Sequence, residues 1–174
     1  MSKTSLVLTI LGPDRPGLVE QIAGLVTEHH GNWLESRMAH LAGQFAGILR
    51  VEVDATHAES LASSLRGLAN SGLDTIIHPD PSAPTAPNDN RPLLHLDLLG
   101  QDRPGIVREI SRVLASLGVN VEELNTQCQA AAETGQPLFH AEAQLRLPPH
   151  VTEATLRSAL EAVAADLMVD VKIA

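Results

Sequence analysis

The sequence predicts an α+β fold built twice: two βαββαβ units in tandem, each a four-stranded antiparallel sheet with two helices on one face. The hexapeptide Gly-Pro-Asp-Arg-Pro-Gly at 12–17 returns as Gly-Gln-Asp-Arg-Pro-Gly at 100–105, an offset of 88 residues. Each copy stands between an alternating, strand-like segment and a segment with the apolar spacing of a helix. A duplicated strand, turn and helix predict that the whole chain is an internal repeat.

Both halves give the same order of elements. We expect strands at 5–11, 32–41, 45–54 and 73–78, and again at 93–99, 119–129, 138–147 and 167–173. Helices are expected at 18–29 and 106–117 from their apolar spacing. A capping box from Thr56 to Glu59 predicts the start of another helix that ends at Gly72, and Thr152 is expected to cap its twin. This order is typical of the ferredoxin-like arrangement.

The first strand of each half shows which face of the sheet is buried. The repeat keeps large apolar residues at alternate positions, namely Leu6, Leu8 and Ile10, and then Leu94, Leu96 and Leu98. The positions between them change from Val7 and Thr9 to His95 and Asp97. Because alternate side chains of a strand share a face, we expect the conserved apolar face to lie under the helices.

The repeated turn predicts an anion site at the start of each first helix. We expect the proline at the first helical position, the preceding arginine as a non-helical cap, and the aspartate bonded to a backbone N–H of the following glycine. These residues are Asp14, Arg15, Pro16 and Gly17, and then Asp102, Arg103, Pro104 and Gly105. Free N–H groups at a helix start suit a carboxylate. A turn that serves only as scaffold is the alternative.

A proline-rich segment divides the chain. Five prolines fall in the fourteen positions 79–92, which precludes a regular strand or helix there. We therefore expect a first domain at 1–78, a linker at 79–92 and a second domain at 93–174.

Composition argues against several classes of function. The net charge is −9, with 12 basic and 21 acidic residues, so the chain lacks the basic face that nucleic-acid binding needs. No apolar run approaches the length of a membrane span, and the first residues lack the apolar core of a signal peptide. The single cysteine, Cys128, suits a reducing compartment. We expect a cytoplasmic protein that contacts neither DNA nor membrane.

No catalytic or metal-binding pattern is evident in the sequence. Asp14 and Arg15 are neighbours and cannot form a base–nucleophile–orienter set. The adjacent His29 and His30 lack further ligands at metal-site spacing. We therefore expect no enzyme activity, no metal and no cofactor, with a small enzyme as the weakest alternative.

The βαββαβ pattern with Gly-x-Asp-Arg-Pro-Gly-[Leu/Ile]-Val after the first strand resembles the ACT domain family. The resemblance covers essentially the whole chain outside the linker. It implies amino-acid sensing, with the ligand lying where two ACT domains meet, between the turn of one domain and the second strand of its neighbour.

Carried over position by position, the resemblance implies ten ligand-binding residues. They are Asp14, Arg15, Gly17, Leu18 and Asn32, and then Asp102, Arg103, Gly105, Ile106 and Asn120. Helix N–H groups would take the carboxylate of glycine or a similar small amino acid. Asparagine oxygens or strand carbonyls would take its ammonium group.

Two ACT domains with no other domain resemble the free-standing regulators of this family. The resemblance implies repression or modulation of transcription through a protein partner, such as a DNA-binding activator, without direct contact with nucleic acid. A homodimer is compatible with it. The alternative is a regulatory subunit that binds an amino acid and controls a metabolic enzyme.

Overall fold

The structure is a computed structural model that describes residues 2–80, 91, 93–131, 135–167 and 169–173. The chain divides into two compact units, Met1–Pro87 and Asn88–Ala174. None of the helices in the described ranges is long and apolar enough to cross a membrane.

The first unit is a four-stranded antiparallel sheet with two helices. Its elements are β1 (Lys3–Pro13), α1 (Leu18–Glu28), β2 (Asn32–Leu41), β3 (Gln44–Asp54), α2 (Ala58–Arg66) and β4 (Asp74–Pro79). A short 3₁₀ turn, Gly67–Ser71, extends α2 and ends at Gly72, as the sequence predicts. The strand order is β2-β3-β1-β4.

The second unit repeats this architecture. Its elements are β5 (Leu93–Gln101), α3 (Ile106–Ser116), β6 (Asn120–Ala130), β7 (Pro137–Arg146), α4 (Glu153–Leu167) and β8 (Val169–Ile173). The strand order β6-β7-β5-β8 matches that of the first unit element by element. The predicted α+β fold of two βαββαβ units is therefore confirmed.

Each core lies between the helices and one face of the sheet. Leu8 and Ile10 of β1 are fully buried, and Leu96 and Leu98 take the same places in β5. In the first unit Leu8 and Ile10 pack with Ile22 of α1 and with other helix residues. The apolar face that the repeat keeps is thus the buried one, and its burial supplies most of the driving force for folding.

The other faces of the two sheets differ in chemistry. In the first unit Leu11, Ile48 and Ile76 stay about half exposed. In the second unit the corresponding face carries polar side chains, among them His95 and Asp97. The two units therefore share a core but not an outer sheet surface.

The start of the first helix in each unit differs from the sequence-based prediction. Pro16 and Arg15 were expected at the first helical and cap positions, but α1 begins at Leu18 and its cap is Gly17, with φ 89°. In the second unit Gly105 caps α3 with φ 91°. A left-handed cap needs glycine, because other residues meet a steric penalty there. The Pro-Gly pair thus forms a turn before each helix.

The capping box predicted at Thr56 is also wrong. The cap of α2 is His57, and no side-chain hydrogen bond closes this helix start within the described chain. By contrast, the Thr152 cap is confirmed, because its Oγ1 accepts a hydrogen bond from the backbone N–H of Thr155 at 3.2 Å. One helix start follows the standard capping pattern and the other does not.

Candidate functional site

The two Asp-Arg-Pro-Gly turns are fixed in the same way. The backbone N–H of Asp14 donates to the carbonyl of Gly43 at 2.9 Å, and that of Asp102 donates to Pro137 at 3.0 Å. These partners are equivalent. Gly43 precedes Gln44, which pairs with the last residue of β1, and Pro137 precedes Leu138, which pairs with the last residue of β5. Each turn is therefore tied to the hairpin beside it.

The helix starts present main-chain groups. Leu18 and Ile106 are each 3% exposed and belong to the cores, so their side chains cannot contact a ligand. No side chain in the described ranges caps α1 or α3. The N–H groups of a first helical turn have no partner within the helix. Both turns therefore offer uncapped donors at the positive end of a helix dipole.

The space beside Gly17 is open. A Cβ built on Gly17 meets nothing within 4 Å. An open groove runs from Gly17 along Gln21 and Gly24 of α1 to Ser64 and Gly67 at the end of α2. The helix start of the first unit is therefore accessible and is not sealed by its own side chains.

The arginine of each turn folds back over the helix. Nη2 of Arg15 donates to Oε1 of Gln21 at 3.1 Å, and Nη2 of Arg103 donates to Oε2 of Glu109 at 3.2 Å. Gln21 and Glu109 are themselves 88 residues apart, so the arginine makes the equivalent contact in both units. Neither partner was predicted from the sequence, although the offset of 88 residues aligns them.

The arginine in the second unit keeps a spare donor. Nε of Arg103 is buried and has no hydrogen-bond partner among the described residues. A buried donor without a partner is unfavourable unless something else bonds to it. The donor lies on a side chain of the predicted ligand-binding turn.

The aspartate of each turn faces the second strand and does not cap the helix as predicted. Oδ2 of Asp14 lies 3.8 Å from Nε2 of His40. In the second unit Asp102 lies close enough to the exposed thiol of Cys128 to influence its pKa. Desolvation by surrounding groups, followed by the charge and hydrogen bond of Asp102, holds the pKa of Cys128 above its usual value.

The two asparagines lie at the opposite end of each sheet from the turns. In the first unit Asn32 of β2 pairs with Glu52 of β3, and Glu52 pairs with Ser5 near the start of β1. The turn, by contrast, follows Pro13 at the end of β1. Eight residues of strand span about 27 Å. In the second unit Asn120 pairs with Arg146, at the level of Leu93, and the same separation applies. Within one unit the structure brings together the turn residues but not the asparagine.

The second unit also contains a small apolar pocket. It lies between α3 and β6, is lined by side chains such as Ile110, Leu124 and Phe139, and encloses about 30 Å³. Its apolar lining cannot satisfy a charged ammonium or carboxylate group. It is therefore unsuited to a free amino acid.

Comparison with known proteins finds similarity to one domain family and to one regulator. Residues 4–77 match the ACT domain family. The glycine cleavage system transcriptional repressor of Escherichia coli (strain K12) is 26% identical over 168 residues, covering 95% of this chain and 87% of that relative.

Two crystal structures share the fold along the full chain. One, of an unknown protein from Galdieria sulphuraria, has a TM-score of 0.86 and 27% identity, and covers 99% of this chain and 98% of that one. The other, described as a candidate glycine cleavage system transcriptional repressor, has a TM-score of 0.72 and 20% identity, over 100% and 98%. The first unit therefore matches the ACT domain family, the second unit repeats its fold, and the chain as a whole is similar to the glycine cleavage system transcriptional repressor.

Proposed function

We propose that this protein senses glycine or a similar small amino acid and represses or modulates transcription through a protein partner. The relative from Escherichia coli, which aligns with 95% of the chain, supports a role of the glycine cleavage system type. The protein is then a regulator and not an enzyme. Its one cysteine suits the reducing cytoplasm, where we place it.

The observation that carries this proposal is the pair of glycine-capped helix starts. Gly17 and Gly105 leave the first N–H groups of α1 and α3 uncapped at the same place in both units. A helix start of this kind favours a carboxylate through N–H donors and the helix dipole. The partly exposed guanidinium of Arg103 adds a positive charge beside the helix start of the second unit.

The asparagines expected to bind the ammonium group of the ligand can do so only from another domain. Asp14 and Asp102 stand in the turns, but Asn32 and Asn120 lie about 27 Å away within their own units. An asparagine can therefore reach a ligand at a turn only from a neighbouring domain, either in the same chain or in a homodimer. This requirement matches the ligand position that the family resemblance implies.

The charge of the chain favours a protein partner over DNA. A net charge of −9 repels the phosphate backbone, so control of transcription requires an intermediary. We propose that the intermediary is a DNA-binding activator that this protein holds. Amino-acid binding would change how tightly it is held, which is a coupling between two sites.

Calorimetric titration with individual amino acids tests the sensing step. Binding of glycine or another small amino acid is expected, and the double variant Gly17→Asp/Gly105→Asp should abolish it, because each new carboxylate repels the ligand's own. Gly118→Asp is the matched control, since Gly118 also has a positive φ, 68°, but lies at the end of α3. Absence of binding by every amino acid would remove the sensing proposal.

Affinity capture from cell extract tests the partner. Recovery of a DNA-binding activator, with the amount changed by the amino acid that binds, supports control of transcription. Recovery of a metabolic enzyme instead would support the alternative of a regulatory subunit. The Gly17→Asp/Gly105→Asp variant should capture the partner without responding to the amino acid.

A further inference from the structure

Three side chains converge on the face of the second sheet that is turned away from the helices. One ligand atom from each of His95, Asp97 and Glu142 lies within 4.8 Å of the other two. His95 and Asp97 are two residues apart on β5 and so share a face. Glu142 of β7 stands directly opposite Asp97 in the register. Regular sheet geometry is thus enough to assemble the cluster.

The two carboxylates of this cluster are an unfavourable pair. Like charges at directly opposed positions of neighbouring strands destabilise a sheet. His140 offsets part of the repulsion, because its Nε2 lies 3.4 Å from Oδ2 of Asp97. A cation held between the carboxylates of Asp97 and Glu142 would offset more of this repulsion.

We propose that His95, Asp97 and Glu142 bind a divalent transition-metal ion of the zinc type. An imidazole nitrogen with two carboxylates suits zinc, cobalt or nickel, whereas calcium and magnesium prefer sites made only of oxygen. Three protein ligands leave a further coordination position for water.

Neighbouring side chains support the proposed ligands. His140 is bonded to Asp97, and Nε2 of Gln144 lies 3.3 Å from Nδ1 of His95. With the Gln144 amide turned over, its oxygen would accept from Nδ1–H and leave Nε2 of His95 to bind the ion. Such outer partners fix the orientation of metal ligands and raise metal affinity. Asp97 and His95 are each held by one of these contacts and are half-buried. The donors are therefore oriented by the sheet and by adjacent side chains.

The first unit is a built-in comparison. The positions that correspond in register to His95, Asp97 and Glu142 are Val7, Thr9 and Ile48. None of these offers an imidazole or a carboxylate. The expected stoichiometry is therefore one ion per chain, bound by the second unit.

The ammonium group of Lys172 is expected to compete with a metal ion for these carboxylates. It stands opposite Asp97 on β8, the strand on the other side of β5, and its side chain is exposed. An ammonium group beside the carboxylates opposes binding of a cation. Replacement of this lysine by an uncharged residue should therefore strengthen metal binding.

Titration of the tag-free, full-length protein with Co²⁺ by absorbance and with Zn²⁺ by calorimetry tests the proposal. We expect one Co²⁺ per chain, with ligand-field absorption, displaced by Zn²⁺. His95→Ala and Glu142→Gln should each weaken affinity by at least about tenfold, the loss that even an outer partner can cause. Lys172→Met should strengthen it, and His150→Ala, in a loop before α4, should leave it unchanged.

Two results would overturn the proposal. One is the absence of saturable binding of either ion, and the other is binding that is the same in His95→Ala and Glu142→Gln as in the natural sequence. Both substitutions lie on the outer face of the sheet, and circular dichroism with thermal unfolding checks that each variant is folded. The result is independent of amino-acid binding, because the cluster shares no residue with the turns.

Discussion

Asp14 lies against His40, with 3.8 Å between the carboxylate Oδ2 and the imidazole Nε2. The residues 88 positions further on are Asp102 and Cys128, whose side chains also interact, since Asp102 helps to raise the pKa of the Cys128 thiol. In both units, then, the aspartate of the turn contacts the same position of the second strand. The contact is kept although the strand residue has changed from histidine to cysteine.

The first prediction concerns the thiol of Cys128. Because Asp102 contributes to the raised pKa of this thiol, Asp102→Asn should lower the pKa, although only in part, since desolvation is the larger cause. A lower pKa means more thiolate at a given pH near neutrality, and so faster alkylation. The measurement is the pH dependence of the iodoacetamide reaction. Asp97→Asn is the control, and an unchanged profile in Asp102→Asn would contradict the contact.

The second prediction concerns Gly12, just before the first turn. A Cβ on this residue would lie 2.4 Å from the carbonyl oxygen of Gly72 and 3.1 Å from Cα of Leu73, and backbone atoms cannot move aside easily. Gly12→Ala should therefore lower the free energy of unfolding by about 1–3 kcal/mol. Urea unfolding measures it.

Gly24 supplies the matched comparison for Gly12. It lies within α1, and a Cβ there meets nothing within 4 Å. Gly24→Ala should stabilise the protein by about 0.5–1 kcal/mol, because alanine favours the helix. Equal effects of the two substitutions would show that the approach of Gly72 to Gly12 is not as close as described.

The third prediction tests the domain boundaries. If 1–78 and 93–174 fold as separate domains, Leu8→Ala should destabilise the first by about 2–5 kcal/mol, since Leu8 is fully buried. Hydrogen exchange with mass spectrometry should then show loss of protection in the first domain alone. Leu156→Ala, in the core of the second unit, should give the reverse. Loss of protection throughout the chain in either variant would show one cooperative unit.

The fourth prediction concerns the asparagines. If a neighbouring domain completes each ligand site, Asn32→Ala/Asn120→Ala should weaken amino-acid binding, at a cost of about 1–3 kcal/mol for a lost hydrogen bond to a charged group. Calorimetry with the amino acid that binds best measures this. Unchanged affinity would place the ligand within one unit, where neither asparagine can reach it.

Much of the fold follows from the repeat. The constant offset of 88 residues pairs Leu8 with Leu96, and comparison of the two strands separates the buried positions from the variable ones. The start of the first helix was less accessible to this reasoning. Proline commonly opens a helix, but the left-handed φ of Gly17 places the cap two residues after Arg15, where it was expected. The order of residue types alone does not reveal that backbone angle.

The site was only partly predictable for a similar reason. Gln21 and Glu109, which hold the two arginines, follow from the same offset and could have been found in the sequence. The cluster of His95, Asp97 and Glu142 could not, and no metal site was expected. These residues become neighbours only through the register of β5 against β7, which depends on loop lengths that periodicity does not fix.

The most direct test of the sensing proposal is a two-dimensional ¹⁵N–¹H NMR titration with glycine and other small amino acids. The account predicts that the largest shifts fall on the amides of the first helical turns, Leu18 and Val19 in α1 and Ile106 and Val107 in α3. Shifts confined to other residues, with these four amides unmoved at saturation, would contradict it.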